Sequence, residues 1–284
     1  MIIDAQLHAY ERDRPERPWH AVLAGPAEAT GDQTIAAMDA IGVDGAILVS
    51  AFTMYRYDPS YAIDVRNRHP GRFALVRPVD PADPAVADVI AAWKRTPGTV
   101  AIRMLLARSG LPVDPADPGL NHVLATAARL SIPINLHIAG RLDQGRALIR
   151  RHPDTRIIVD HLGLVQPHDP PVPAEPWAEL PQVLELAAYP NVAIKITGAC
   201  TLSRQPFPYP DIWDPVCRVI DAFGLDRCMW GTDWTRAVNF LTYAQGVDAF
   251  RQTERISPSD KAQLMGGTLT RIYGWAPQPR RATP

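Results

Sequence analysis

The sequence predicts a (β/α)8 barrel, an α/β fold, with an extra C-terminal helix. Three observations predict it. Apolar runs of strand length alternate with helix-patterned segments eight times. Nearly every one of those runs is apolar along its whole length, as in a parallel sheet covered on both sides. The eight units occupy roughly 270 residues, a size that fits such a barrel. A doubly wound open sheet is the alternative. No G-x-G-x-x-G follows the first strand, however, and no internal repeat is visible.

The elements read as follows. Residues 2–7 form a buried strand, and the Pro- and Gly-rich segment 11–31 is an irregular loop. Asp32 reads as an N-cap for a helix over 34–41, closed by Gly42. Residues 46–50 are the second strand, 59–69 a helix, and 73–76 the third strand. A helix over 84–95 carries Pro84 in its first turn. The fourth strand spans 99–105, followed by a helix at 121–130. Strand, helix and strand then follow at 132–136, 142–151 and 156–160. A helix over 176–188 precedes the seventh strand at 192–196. A helix over 211–223 leads to the eighth strand at 227–231. Helices at 238–252 and 258–273 close the chain.

With 284 residues, 46% of them hydrophobic, the chain is long enough for one large core, read as a single domain over 1–284. A formal net charge of −1 supplies no basic field, so neither nucleic acid nor an anionic membrane is expected as a partner. No apolar stretch of about 18 residues predicts a membrane span. The N-terminus opens on a strand pattern with no signal-like region. Three cysteines without C-x-x-C spacing (Cys200, Cys217 and Cys228) predict a reduced, cytoplasmic protein. A homo-oligomer is an open expectation.

Four strands end in residues that carry chemistry. Asp233 follows the eighth strand in Gly231-Thr232-Asp233-Trp234, and a carboxylate there must be solvated, hydrogen-bonded or bound to a cation. His8, His137 and His161 end the first, fifth and sixth strands. In a barrel these strand ends converge on one face.

These motifs resemble those of the amidohydrolase superfamily, in its amidohydrolase-2, lactonase-type branch. The resemblance rests on Asp4-Ala5-Gln6-Leu7-His8, Asn135-Leu136-His137, Asp160-His161-Leu162-Gly163 and Gly231-Thr232-Asp233-Trp234. The closing segment from Met265 to Tyr273 also matches, with Thr268 where Asn is usual. Within the branch the chain is most similar to lactonases acting on dicarboxypyrone, sugar lactones and muconolactones. The family usually carries His-x-His on the first strand, and here Gln6 replaces the first histidine. The resemblance implies that metal-dependent members hold a divalent ion with that pair, the strand-five His and the strand-eight Asp. Gln6 is a neutral, weak substitute for imidazole. Two cofactor states therefore stay open: one Zn2+ on His8, His137 and Asp233, or no metal, with the histidines polarising a carbonyl as hydrogen-bond donors.

The resemblance implies hydrolysis of a small, carboxylate-bearing lactone. Asp233 would take a proton from water and deliver it to the leaving alkoxide, with His161 as the alternative base. Arg103, Arg204, Gln6 and Trp234 are the expected substrate contacts, since guanidinium forks bind carboxylates bidentately. Arg204 sits in a loop similar to the carboxylate-binding loop of the dicarboxypyrone lactonase. Lys195, a charge inside an apolar strand, must find a partner. A metal-dependent non-oxidative decarboxylase of an aromatic or muconate-type acid is the second reading. A non-catalytic small-molecule-binding barrel is the third.

Overall fold

The computed structural model, which describes residues 1–22, 25–106, 111 and 113–278, is an eight-stranded parallel barrel in strand order β1 to β8. The strands are β1 (Ile3–Leu7), β2 (Gly45–Val49), β3 (Phe73–Pro78), β4 (Thr99–Leu105), β5 (Ile134–His137), β6 (Ile157–Val159), β7 (Val192–Thr197) and β8 (Cys228–Gly231). Around them lie α1 (Gly31–Ile41), α2 (Phe52–Tyr55), α3 (Ser60–Arg68), α4 (Val86–Arg95), α5 (Pro118–Arg129), α6 (Leu142–Arg151), α7 (Leu180–Glu185) and α8 (Trp213–Phe223). The helices α9 (Tyr243–Arg251), α10 (Pro258–Ala262) and α11 (Thr268–Tyr273) follow, the last two joined by a π-turn at Gln263–Gly267.

Strand alternation divides the apolar residues into two clusters. Outward residues such as Leu48, Leu75, Ile102, Leu136 and Trp230 pack under the helices. Inward residues such as Ala5, Val49, Val76, Ile158 and Met229 fill the barrel, which Leu269, Ile272 and Tyr273 of α11 close from one end. Each fully buried Leu, Ile or Val in these clusters contributes about 1.5–3 kcal/mol relative to exposure.

β1 and β8 meet through paired backbone bonds, from Asp233 N to Gln6 O (3.1 Å) and from His8 N to Trp234 O (3.3 Å). Asp4 staples this seam, accepting from Thr232 N (3.0 Å), Thr232 Oγ1 (2.6 Å) and Gln6 N (3.0 Å). Gly231 permits it, since a Cβ there would lie 2.7 Å from Asp4 Oδ1. The β1–β2 pairing slips between Asp4 and Leu7. Such slips re-aim side chains, and Ala5 and Gln6 both reach the barrel interior.

Several element boundaries differ from the sequence reading. The N-cap of α1 is Thr30, not Asp32: Thr30 and Gln33 form a reciprocal capping box that satisfies two backbone donors. Pro84 precedes α4 rather than lying within it. α5 begins at Pro118, three residues before the expected start, capped by Asp117. Of the helix expected over 176–188, only Leu180–Glu185 is α-helical, followed by a 3-10 turn. The short α2, after β2, has no counterpart in the expectation. β6 ends at Val159, and Asp160–Gly163 form a tight turn.

Candidate active site

The C-terminal strand ends surround a cavity of about 290 Å3, lined by His8, Arg103, His137, His161, Asp233 and Arg236. Phe52, Met54, Leu105, Leu164 and Val165 also line it. The turns that deliver two of these groups are strained. His161 and Leu162 have φ of 54° and 60°, and Asp233 has φ of 55°. Left-handed backbone at non-glycine residues costs of order 1–3 kcal/mol each and is kept where surrounding contacts enforce it. Here Thr197, ending β7, supplies that contact, holding both His161 N (3.2 Å) and His161 Nδ1 (2.9 Å) through its hydroxyl.

Neighbours assign the histidine tautomers. His8 Nδ1 donates to Val49 O at 2.8 Å, which leaves a lone pair on Nε2. Arg103 Nη2 donates to His161 Nε2 at 3.1 Å, so that proton sits on Nδ1. Burial lowers the pKa of His161 to about 4, and it is neutral at pH 7. His8 and His161 therefore present acceptors at Nε2 when neutral. This differs from the expectation that bare histidines donate to a carbonyl; Arg103 and Gln6 hold the N–H groups instead. His137 lines the cavity with its ring edge-to-face on His161, centroids 5.4 Å apart.

Asp233 is fully buried. Its Oδ2 accepts from Arg236 Nε and lies 3.5 Å from His161 Nδ1. Its Oδ1 makes no hydrogen bond among the described residues and lies 3.5 Å from His8 Nε2. Burial disfavours the carboxylate, but His161, Arg236 and His8 together outweigh it and hold the acid well below its usual range. With His161 neutral, Arg236 is the permanent cation responsible. Sequence reasoning missed Arg236, whose only signal is its place three residues after Asp233. Two further bonds fix its guanidinium, to Pro167 O (2.9 Å) and Gln166 Oε1 (2.7 Å).

Beneath the histidines lies a buried ion network. Asp160 accepts from Arg103 Nε (2.7 Å) and pairs with Lys195 Nζ (3.1 Å). Burial again opposes ionisation, while Lys195 and Arg103 hold Asp160 far below the ordinary carboxylate range. Lys195 also donates to Gln6 Oε1 at 2.8 Å, which is the partner its position in an apolar strand demanded. Gln6 Nε2 in turn lies 3.5 Å from both His8 Nε2 and His161 Nε2.

Of the eight residues singled out by sequence, His8, His137, His161, Asp233 and Arg103 line the cavity, while Gln6 is fully buried outside the lining, its Nε2 3.5 Å from both His8 and His161. Arg204 and Trp234 lie off the cavity lining. Arg204 is exposed, with Nη1 on Ala174 O at 3.2 Å and its backbone N on Asp211. Trp234 is half-buried against Tyr243. Burial pushes the thiols of Cys200 and Cys228 up to about 12, which removes them as nucleophiles.

The donor set does not fit the metal that the family resemblance implied. No group of three His, Cys, Asp or Glu residues suited to a metal ion occurs among the described residues. Gln6 turns its N–H groups, not its carbonyl, toward the two histidines, because Lys195 occupies the carbonyl.

Comparison with known proteins gives the family and the fold. Over 138 residues the chain is 32% identical to an L-fucono-1,5-lactonase of Burkholderia ambifaria, covering 45% of this chain and 44% of that protein. It thus spans under half the length of that curated relative. It is 23% identical over 215 residues to a 4-sulfomuconolactone hydrolase of Hydrogenophaga intermedia, covering 76% and 68% of the two chains. The fold matches that of an amidohydrolase from Burkholderia multivorans solved with bound zinc, with a TM-score of 0.80 at 22% identity over 97% and 99% of the two chains. The amidohydrolase family model matches residues 3–275. The chain belongs to the amidohydrolase family.

Proposed function

We propose that the cavity hydrolyses the ester bond of a small lactone. The observation that carries this reading is Asp233 Oδ1, a buried carboxylate oxygen at the cavity lining with no hydrogen bond among the described residues, 3.5 Å from His8 Nε2. A water between the two has an acceptor on each side. As its oxygen attacks the lactone carbonyl, its proton passes to Asp233. A carboxylate of such low basicity does not retain a proton for long, and His8 Nε2 is placed to share it. The carbonyl oxygen, now an oxyanion, faces the guanidinium of Arg103, which lines the cavity. Collapse of the tetrahedral intermediate breaks the ring C–O bond, and the shared proton goes to the leaving alkoxide. The products are the hydroxyl and carboxyl ends of one open chain. The relatives named for lactonase activity support the same reaction class.

The test is proton release on a panel of γ- and δ-lactones, with CO2 release followed in parallel on aromatic carboxylic acids. Acid release from at least one lactone, with no CO2 from the acids, is the expected result. CO2 without lactone opening would replace this reading with the decarboxylase, and binding without turnover would replace it with a non-catalytic barrel.

A further inference from the structure

Below the cavity each buried carboxylate is met by side-chain cations without any added ion. Asp160 is met by both Lys195 and Arg103, and Asp233 by Arg236. Two guanidinium groups and the Lys195 ammonium, whose charge burial disfavours and Asp160 supports, thus face two carboxylates, so a divalent ion entering the floor finds no uncompensated negative charge. The orientation of Gln6 is fixed from three independent directions. Lys195 can only donate, so the Gln6 atom 2.8 Å from it is the carbonyl oxygen. The contact of His8 with Val49 O leaves its Nε2 an acceptor in the neutral ring. The contact of His161 with Arg103 does the same for its Nε2. The Gln6 NH2 lies equally far from these two lone pairs, and its two hydrogens match them. Lys195 cannot swing away: it is fully buried, with its Nζ 6.0 Å from the ring centre of Tyr273, itself anchored on Asn135 at 2.8 Å.

We propose that Lys195 is a positioning residue that locks Gln6 as a hydrogen-bond donor and so excludes divalent metal from the His8–Asp233 position. The internal ammonium takes the place of a bound ion, and the amide N–H groups stand where a metal would need a lone pair. This holds independently of which reaction the cavity performs.

The test is zinc binding by titration calorimetry on the chelator-stripped full-length protein. Wild type is expected to show no saturable zinc site. Replacing the lock while supplying an imidazole, in the double variant Gln6→His/Lys195→Met, is expected to bind about one zinc per chain. Gln6→His alone, with the ammonium retained, should bind about 10–100-fold more weakly than the double variant, the scale on which neighbouring partners tune metal affinity. A merely structural role for Lys195 would lower binding on its removal, not raise it. A stoichiometric zinc site in wild type overturns the proposal, as does equal affinity in the Gln6→His and double variants. If the double variant does not fold, the comparison of Gln6→His with Gln6→His/Lys195→Gln decides. That amide removes the charge but can still donate, and zinc should bind more tightly in the variant that lacks the ammonium; equal affinity overturns the proposal.

Discussion

The two sides of the cavity floor are built from the same residue types to opposite ends. On the β4–β7 side, Asp160 has its charge matched by Arg103 and Lys195, and all three are buried. On the β8–β1 side, Asp233 is held on one oxygen by Arg236, while its other oxygen faces His8 at 3.5 Å with no hydrogen bond. Among the described residues both carboxylates keep an Oδ1 without a hydrogen bond, but on Asp160 that oxygen has the Lys195 ammonium 3.1 Å away, whereas on Asp233 it has only His8 and lies at the cavity lining. A buried carboxylate with a cation on each oxygen fixes geometry, whereas a carboxylate oxygen at a cavity wall with no such cation is able to accept a proton from a ligand. The same pKa direction thus describes two different roles, and the partner count separates them.

The comparison can be broken at four points. Asp233→Asn keeps the shape but removes the acceptor, and the rate of lactone opening should fall about 10²–10⁴-fold, the range of general-base contributions; steady-state kinetics on the best lactone substrate measures it. Asp160→Asn leaves Lys195 without its anion in a fully buried setting. That should cost about 3–5 kcal/mol in urea-unfolding experiments. The third effect is a pH dependence. Folded His161 takes its proton near pH 4 rather than 6.5, so the unfolded chain protonates first and stability falls as pH drops between these values. Asp4, raised from 3.8 to about 6 by burial, works the other way: its stabilisation is present below 3.8 and is lost as pH rises through about 6. Wild-type stability should therefore vary little between pH 4 and 6.5, and His161→Gln should lose stability as pH rises across that window. Urea midpoints at pH 4.5 and 6.5 check the sign. The smallest effect is expected at Arg204→Ala. That guanidinium is exposed and off the cavity, so stability should change by no more than about 0.5 kcal/mol, and kcat/KM should be unaltered.

How much of this was legible in the sequence follows from the range of the interactions involved. The strand ends were readable because apolar runs stop at His8, His137, His161 and the Gly231–Asp233 turn, a local pattern. Gln6 stood out as a departure from the family motif, but its orientation did not, because the residue that sets it lies 189 positions away on β7. Lys195 announced a need for a partner without naming it. Arg236 carried only its spacing of three from Asp233, and its role depends on how the loop after β8 folds back over that residue. Arg204 matched a loop motif, yet its side chain turns toward Ala174. Caps failed similarly: Asp32 and Thr30 both suit an N-cap, and only the reciprocal bond with Gln33 distinguishes them.

The most direct test measures kcat and melting temperature side by side for Asp233→Asn and Asp160→Asn. Arg236 keeps two other acceptors when Asp233 is replaced, whereas Lys195 loses the one anion it pairs with among the described residues. The account predicts that Asp233→Asn loses most of its turnover with the smaller drop in melting temperature. Asp160→Asn should show the larger drop and keep more turnover when assayed below its melting point. The reverse pattern, with turnover surviving in Asp233→Asn, would contradict the assignment of Asp233 as the reactive carboxylate.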